Sequence, residues 1–87
     1  MNLKKTKQKL PKWFDGTVYE IGDEVRNPFS GETYFLNAKE LSMYDFIKGS
    51  EYSMELLGHR DWIIRDMEKG INWFRTNNPK AYMVLLD

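Results

Sequence analysis

The chain has 87 residues, so it forms one domain at most, and a body of that size buries only about 60–65% of the surface its unfolded chain would expose. Hydrophobic residues at 41% and aromatic residues at 15% lift it above the disordered class, while the absence of cysteine excludes disulfide staples, thiolate metal sites and cysteine nucleophiles. Lysine plus arginine balance aspartate plus glutamate at 13 each, but Lys4, Lys5, Lys7, Lys9 and Lys12 precede every acid, so residues 1–12 carry +5 and the remainder carries −5.

Residues 1–12 are therefore expected to be a basic, disordered tail, with residues 13–87 forming a single domain. The five lysines offer an arm for nucleic-acid phosphates, or a segment that folds back on the acidic body. No apolar run approaches the ~18–20 residues of a membrane span, and the basic start leads into Pro11 rather than into the apolar core of a signal peptide. The expectation is a cytoplasmic protein with no membrane partner.

Trp13 and Phe14, followed by the turn signal Asp15-Gly16, should pin the start of the folded part. Thr17–Ile21 alternates β-branched and aromatic residues and is expected to be a strand that continues through Glu24–Arg26 after a bend at Gly22-Asp23. Asn27-Pro28-Phe29-Ser30-Gly31 is a chain reversal, because Pro fixes φ and Gly accepts positive φ. Glu32–Leu36 then completes a β-hairpin, which is marginal alone and must pack on other elements.

Asn37 with Glu40 three residues later spells a capping box, so a helix should begin at Ala38 and expose Lys39, Glu51 and Glu55 while burying Met43, Phe46, Ile47, Met54 and Leu57. Gly49 predicts a kink or a close helix crossing, and Gly58 predicts a left-handed cap. Asp61 is placed to cap a second helix over Trp62–Thr76, whose apolar stripe is Ile63, Ile64, Met67, Ile71 and Phe74, with Gly70 a second point of close approach. Asn78-Pro79 starts a short terminal helix in which Tyr82, Val84, Leu85 and Leu86 are expected to be buried. The fold class is α+β: an N-terminal two-stranded hairpin packed on two longer helices and a short C-terminal one.

Chemistry is scarce. His59 is the only histidine, so neither a histidine metal site nor a nucleophile with a histidine relay to a second base can be built from it. Asp61, Asp66 and Glu68 supply carboxylates on one helix, better explained as a cap and a solvated face than as an acid–base pair. The glycines at 22 and 31 belong to turns, since the spacing and Lys-Ser/Thr of a phosphate loop are missing. No catalytic residue, metal ligand or cofactor site is expected. Tyr19, Tyr34 and Phe35 offer rings for base stacking, but the acids Asp23, Glu24 and Glu32 beside them would repel phosphate, and core packing is the expectation. Trp62 and Trp73 stand eleven positions apart on one side of the second helix and are the expected interface, with a homodimer as one form of it.

The segments Gly22–Glu32, Glu40–Gly49 and Trp73–Asp87 resemble small uncharacterised proteins encoded by marine tailed phages, including those of cyanobacteria. The likeness covers most of residues 17–87 and implies a setting, the cytoplasm of a host cell, without implying a site. The function expected is that of a small non-catalytic accessory or interaction protein. A nucleic-acid-associated protein using the lysine arm is the alternative, and an enzyme with a cryptic carboxylate site stands third.

Overall fold

Local signals dictate most of the elements. The computed structural model describes residues 8–87, in which β1 (Asp23–Arg26) and β2 (Thr33–Leu36) are followed by α1 (Ala38–Leu57), α2 (Asp61–Asn77) and α3 (Pro79–Leu85). The strands pair antiparallel, with Asp23 opposite Leu36 and Arg26 opposite Thr33. This is the α+β architecture that the sequence leads one to expect.

The reversal between the strands is built by Asn27. Its carbonyl accepts from Gly31 N–H at 2.8 Å, its Oδ1 accepts from Phe29 N–H at 2.8 Å, and its Nδ2 donates to the Val84 carbonyl at 2.9 Å, which ties the turn to α3. Gly31 sits at φ +81°, where a side chain would be strained. Alternation along β2 turns Tyr34 and Leu36 toward the core and Phe35 outward. Phe35 is 61% exposed and Tyr19 also reaches solvent, so of the three rings expected in the core only Tyr34 packs there.

Residues 17–21 do not form a strand, because no neighbouring chain is available to pair with them. The Tyr19 amide donates instead to Ser42 Oγ at 2.9 Å, and that fully buried hydroxyl donates to the Ala38 carbonyl at 2.8 Å. Gly22 then passes so close to the Leu36 carbonyl and Asn37 Cα that a Cβ would collide with backbone. The strand therefore begins only at Asp23.

The α1 capping box forms as spelled: Asn37 Oδ1 accepts from Glu40 N–H at 2.8 Å, and Glu40 Oε1 accepts from Asn37 N–H at 3.0 Å. Glu40 does more than cap. Its other oxygen accepts from Asn78 Nδ2 at 3.0 Å and Gln8 Nε2 at 2.8 Å, while Asn78 Oδ1 caps α3 by accepting from Ala81 N–H at 3.1 Å. One carboxylate, only 5% exposed, thus joins the starts of α1 and α3 to the N-terminal segment through neutral donors.

Leu36, Met43, Ile47, Phe74, Ala81 and Leu85 form the core, with Tyr82, Val84 and Leu86 half-buried around it. Gly70 supplies the expected close approach of α2 to α1: a Cβ there would stand 2.9 Å from Ile47 Cγ1 and 3.3 Å from Phe46 Cδ2. Gly49 does not, for it faces open space. Two further expectations change. Gly58 ends α1 at φ 87°, ψ −178°, with positive φ but an extended ψ in place of the left-handed helical cap. Asp61 is the first residue of α2 and Arg60 is its cap, with the Arg60 side chain turned back to donate from Nε to the Leu57 carbonyl at 2.8 Å. The Asp61 charge still suits the positive end of the helix dipole.

The packed body reaches back to Gln8 rather than beginning at Trp13. Leu10, Trp13 and Phe14 lie on the core, with Trp13 and Phe14 centred 5.7 and 5.4 Å from the Phe46 ring. Lys69 Nζ lies 4.9 Å from the Trp13 ring centre. Lys4, Lys5 and Lys7 of the expected tail lie outside the described residues.

Candidate docking groove beside the helical hairpin end

Helical spacing positions one wall of the site. On α1 the residues Asp45, Gly49, Tyr52 and Leu56 recur at intervals of four, three and four, so they share one exposed stripe. The opposite wall is the first turns of α2, where Trp62 and Asp66 are separated by one turn and Ile63 points into the interior. Asp15, Gly16 and Thr17 of the N-terminal segment close one end. Gly16 has no room for a Cβ, which would lie 2.9 Å from Phe14 Cζ and 3.2 Å from Phe46 Cδ1, so the loop can settle low over α1 and leave a groove of about 360 Å³.

The electrostatics of this groove have one sign. Asp15, Asp45 and Asp66 line it, and among the described residues no lysine, arginine or histidine does. Among the described residues the one ion pair is Lys48–Glu51, at 3.2 Å, outside the groove. The three aspartates stand around the groove rather than converging, since among the described residues no three acidic, histidine or cysteine groups are close enough to hold a metal ion. Ser50 lies at the floor, buried, donating to the Phe46 carbonyl at 3.1 Å. Trp62 is 54% exposed at the groove, and Tyr52, Leu56 and Leu57 continue the apolar surface toward the hairpin end, each at least half exposed.

The two tryptophans expected to share an interface have different roles. Trp73 is half-buried, and its indole N–H donates to the Lys9 carbonyl at 2.9 Å beneath the N-terminal segment. Trp62 alone of the pair lines the groove. Of the expected phosphate-binding lysines, Lys9 and Lys12 are exposed and the other three lie outside the described residues. His59 is an exposed loop residue between α1 and α2, Glu68 is exposed away from the groove, and Asp61 is at the helix start. A smaller cavity of about 200 Å³ between the strand turn and α3 is lined by Phe29, Leu86, Asp87 and the Lys48–Glu51 pair.

Among the described residues the one ionisable group with a displaced titration is Tyr44, whose burial pushes its hydroxyl above the usual tyrosine value, with Lys48 opposing and Glu51 reinforcing the shift. It lies outside the groove. No helix among the described residues is long and apolar enough to cross a membrane. Comparisons with models of protein families, with curated proteins and with solved structures found no match.

Proposed function

We propose that this is a small interaction protein that works by docking another protein on the end of its α1–α2 hairpin, without catalysing a reaction. The observation that carries this reading is the exposure of four large side chains, Tyr52, Leu56, Leu57 and Trp62, on the two helices where they meet at one end of the hairpin. Large aromatic and aliphatic side chains left on a firm scaffold are the usual composition of the centre of an interface. The setting we infer is the cytoplasm of a phage-infected cell, on the resemblance of residues 22–32, 40–49 and 73–87 to phage proteins. A second copy of the chain is one partner of suitable chemistry.

A photoreactive amino acid placed at Tyr52 or Leu56 tests the reading. Discrete adducts from those positions, absent when the probe stands at Lys80 and lost on Leu57→Ser, are the expected result. Light scattering then shows whether the adduct is a second copy. Indiscriminate adducts from all three probe positions, or none at any, would remove the docking surface.

The lysine-rich segment supports a second reading, as a nucleic-acid contact. Lys9 and Lys12 are exposed, and Lys69 is held on the Trp13 ring immediately after Lys12. Oligonucleotide binding by the five lysines of residues 1–12 should show a salt slope no steeper than roughly −4 to −5 and should vanish when they are replaced by glutamine. A slope that survives the replacement would exclude the arm.

A further inference from the structure

We infer that the groove between α1 and α2 receives the cationic side chain of a lysine or arginine from a basic, partly apolar segment of the docked protein. This rests on the docking surface proposed above and names the chemistry of what lies there. The groove presents Asp15, Asp45 and Asp66 and, among the described residues, no lining cation, so it attracts positive charge and opposes a phosphate or carboxylate. Trp62 adds an exposed indole at the same rim, and an indole face is the ring that best attracts an ammonium or guanidinium group. The molecule already makes this kind of contact internally, with Lys69 at 4.9 Å from the Trp13 centroid and Arg75 at 5.4 Å from that of Tyr82.

Ser50 lines the groove at only 8% exposure and donates its proton to the Phe46 carbonyl, a bond made within its own helix. The separation of the three aspartates disfavours a compact metal ion and suits a group whose positive charge is spread over several N–H donors. At about 360 Å³ the site lies at the small end of ligand pockets, which run from roughly 300 to 1,000 Å³, so it accommodates one long side chain. The apolar surface of Tyr52, Leu56 and Leu57 beyond the groove provides a place for that side chain's neighbours and favours a protein segment over a free amine.

The test uses the full chain and a blocked hexapeptide of alternating arginine and leucine, followed through the indole N–H signal of Trp62, with Trp13 and Trp73 as internal controls. Saturable movement of the Trp62 signal is expected, and Asp45→Asn/Asp66→Asn should weaken binding by about tenfold through loss of two charge-assisted contacts. Glu24→Gln/Glu32→Gln makes the same charge change in the β-hairpin, at residues that do not line the groove, and should weaken it by less than about twofold, because exposed charges without direct contact are largely screened. Equal losses from the two double variants would reduce the groove to a diffuse acidic surface and overturn the inference, as would the absence of saturation. A glutamate–leucine hexapeptide that binds as well would also overturn it. If Leu56→Ser weakens the arginine peptide while the aspartate variants do not, the docking surface stands and the cation site falls; if neither responds, both fall.

Discussion

The two ends of the α1–α2 hairpin are made of the same kind of helix and lead different lives. At the braced end, α1 begins in a capping box, packs Met43 and Ile47 against Phe74, and is covered by the sheet, α3 and the N-terminal segment. At the far end no residue from Glu51 to Trp62 is buried, and the helices are held there by their own backbone bonds and by Arg60 folded onto the Leu57 carbonyl. The reason is length. A 20-residue helix runs for about 30 Å, while two four-residue strands and a seven-residue helix can cover only part of it. A well-formed helix therefore need not be a buried one, and a small domain can extend an apolar helical arm beyond its own core.

The comparison is broken most severely by removing mass from the braced end. Phe74→Ala should cost about 3–5 kcal/mol in urea unfolding, whereas Leu56→Ala at the exposed end should change stability by less than about 0.5 kcal/mol. Comparable losses from both would mean that the hairpin end is covered. Glu40→Ala comes next: it strips acceptors from Asn78, Gln8 and the Asn37 amide together and should cost about 2–4 kcal/mol, with Glu40→Gln milder because one acceptor oxygen remains. If chemical denaturation shows Glu40→Ala to be near neutral, the three-way junction is not a determinant of stability.

The glycines sharpen the contrast through the sign of the change. Gly49→Ala meets nothing and gains helix propensity, so it should stabilise by about 0.5–1 kcal/mol. Gly70→Ala drives a methyl group against Ile47 and should destabilise by about 1–2 kcal/mol net of the same propensity gain. Thermal melts of the two variants moving in the same direction would contradict the packing described.

The smallest effect belongs to Tyr44. Its folded-state pKa is raised, so the stability linked to its protonated form is complete below the ordinary tyrosine pKa and is lost as pH rises through the higher folded value. Wild type should lose slightly more stability than Tyr44→Phe above pH ~10, measured as denaturation midpoints across the alkaline range. Parallel profiles would assign the alkaline loss to other groups.

What was legible in the sequence is what closes within a few residues. Asn37 and Glu40, the Asn27–Gly31 reversal and Asn78-Pro79 each satisfy their bonds locally, and each forms where the pattern places it. What was not legible depends on a partner far along the chain. Thr17–Ile21 has strand composition but meets a helix serine in place of a second strand, and Phe35 has core composition but falls on the outer face once register is set. The groove is of this second kind, since Asp15, Asp45 and Asp66 belong to a loop and two helices and come together only in the fold. Gly49 was the one available signal, a missing side chain in the middle of a helix, and it marked open space rather than a crossing.

The Glu40 junction also sets an order of events. Its bonds to Gln8 and Asn78 span 32 and 38 residues, and the Trp73–Lys9 bond beside it spans 64, whereas α1 and α2 are joined by a short loop. Long closures form late because their entropy must be met before any contact rewards it. The helical hairpin, with its apolar end already exposed, is thus the early structure, and the polar junction is the last to close.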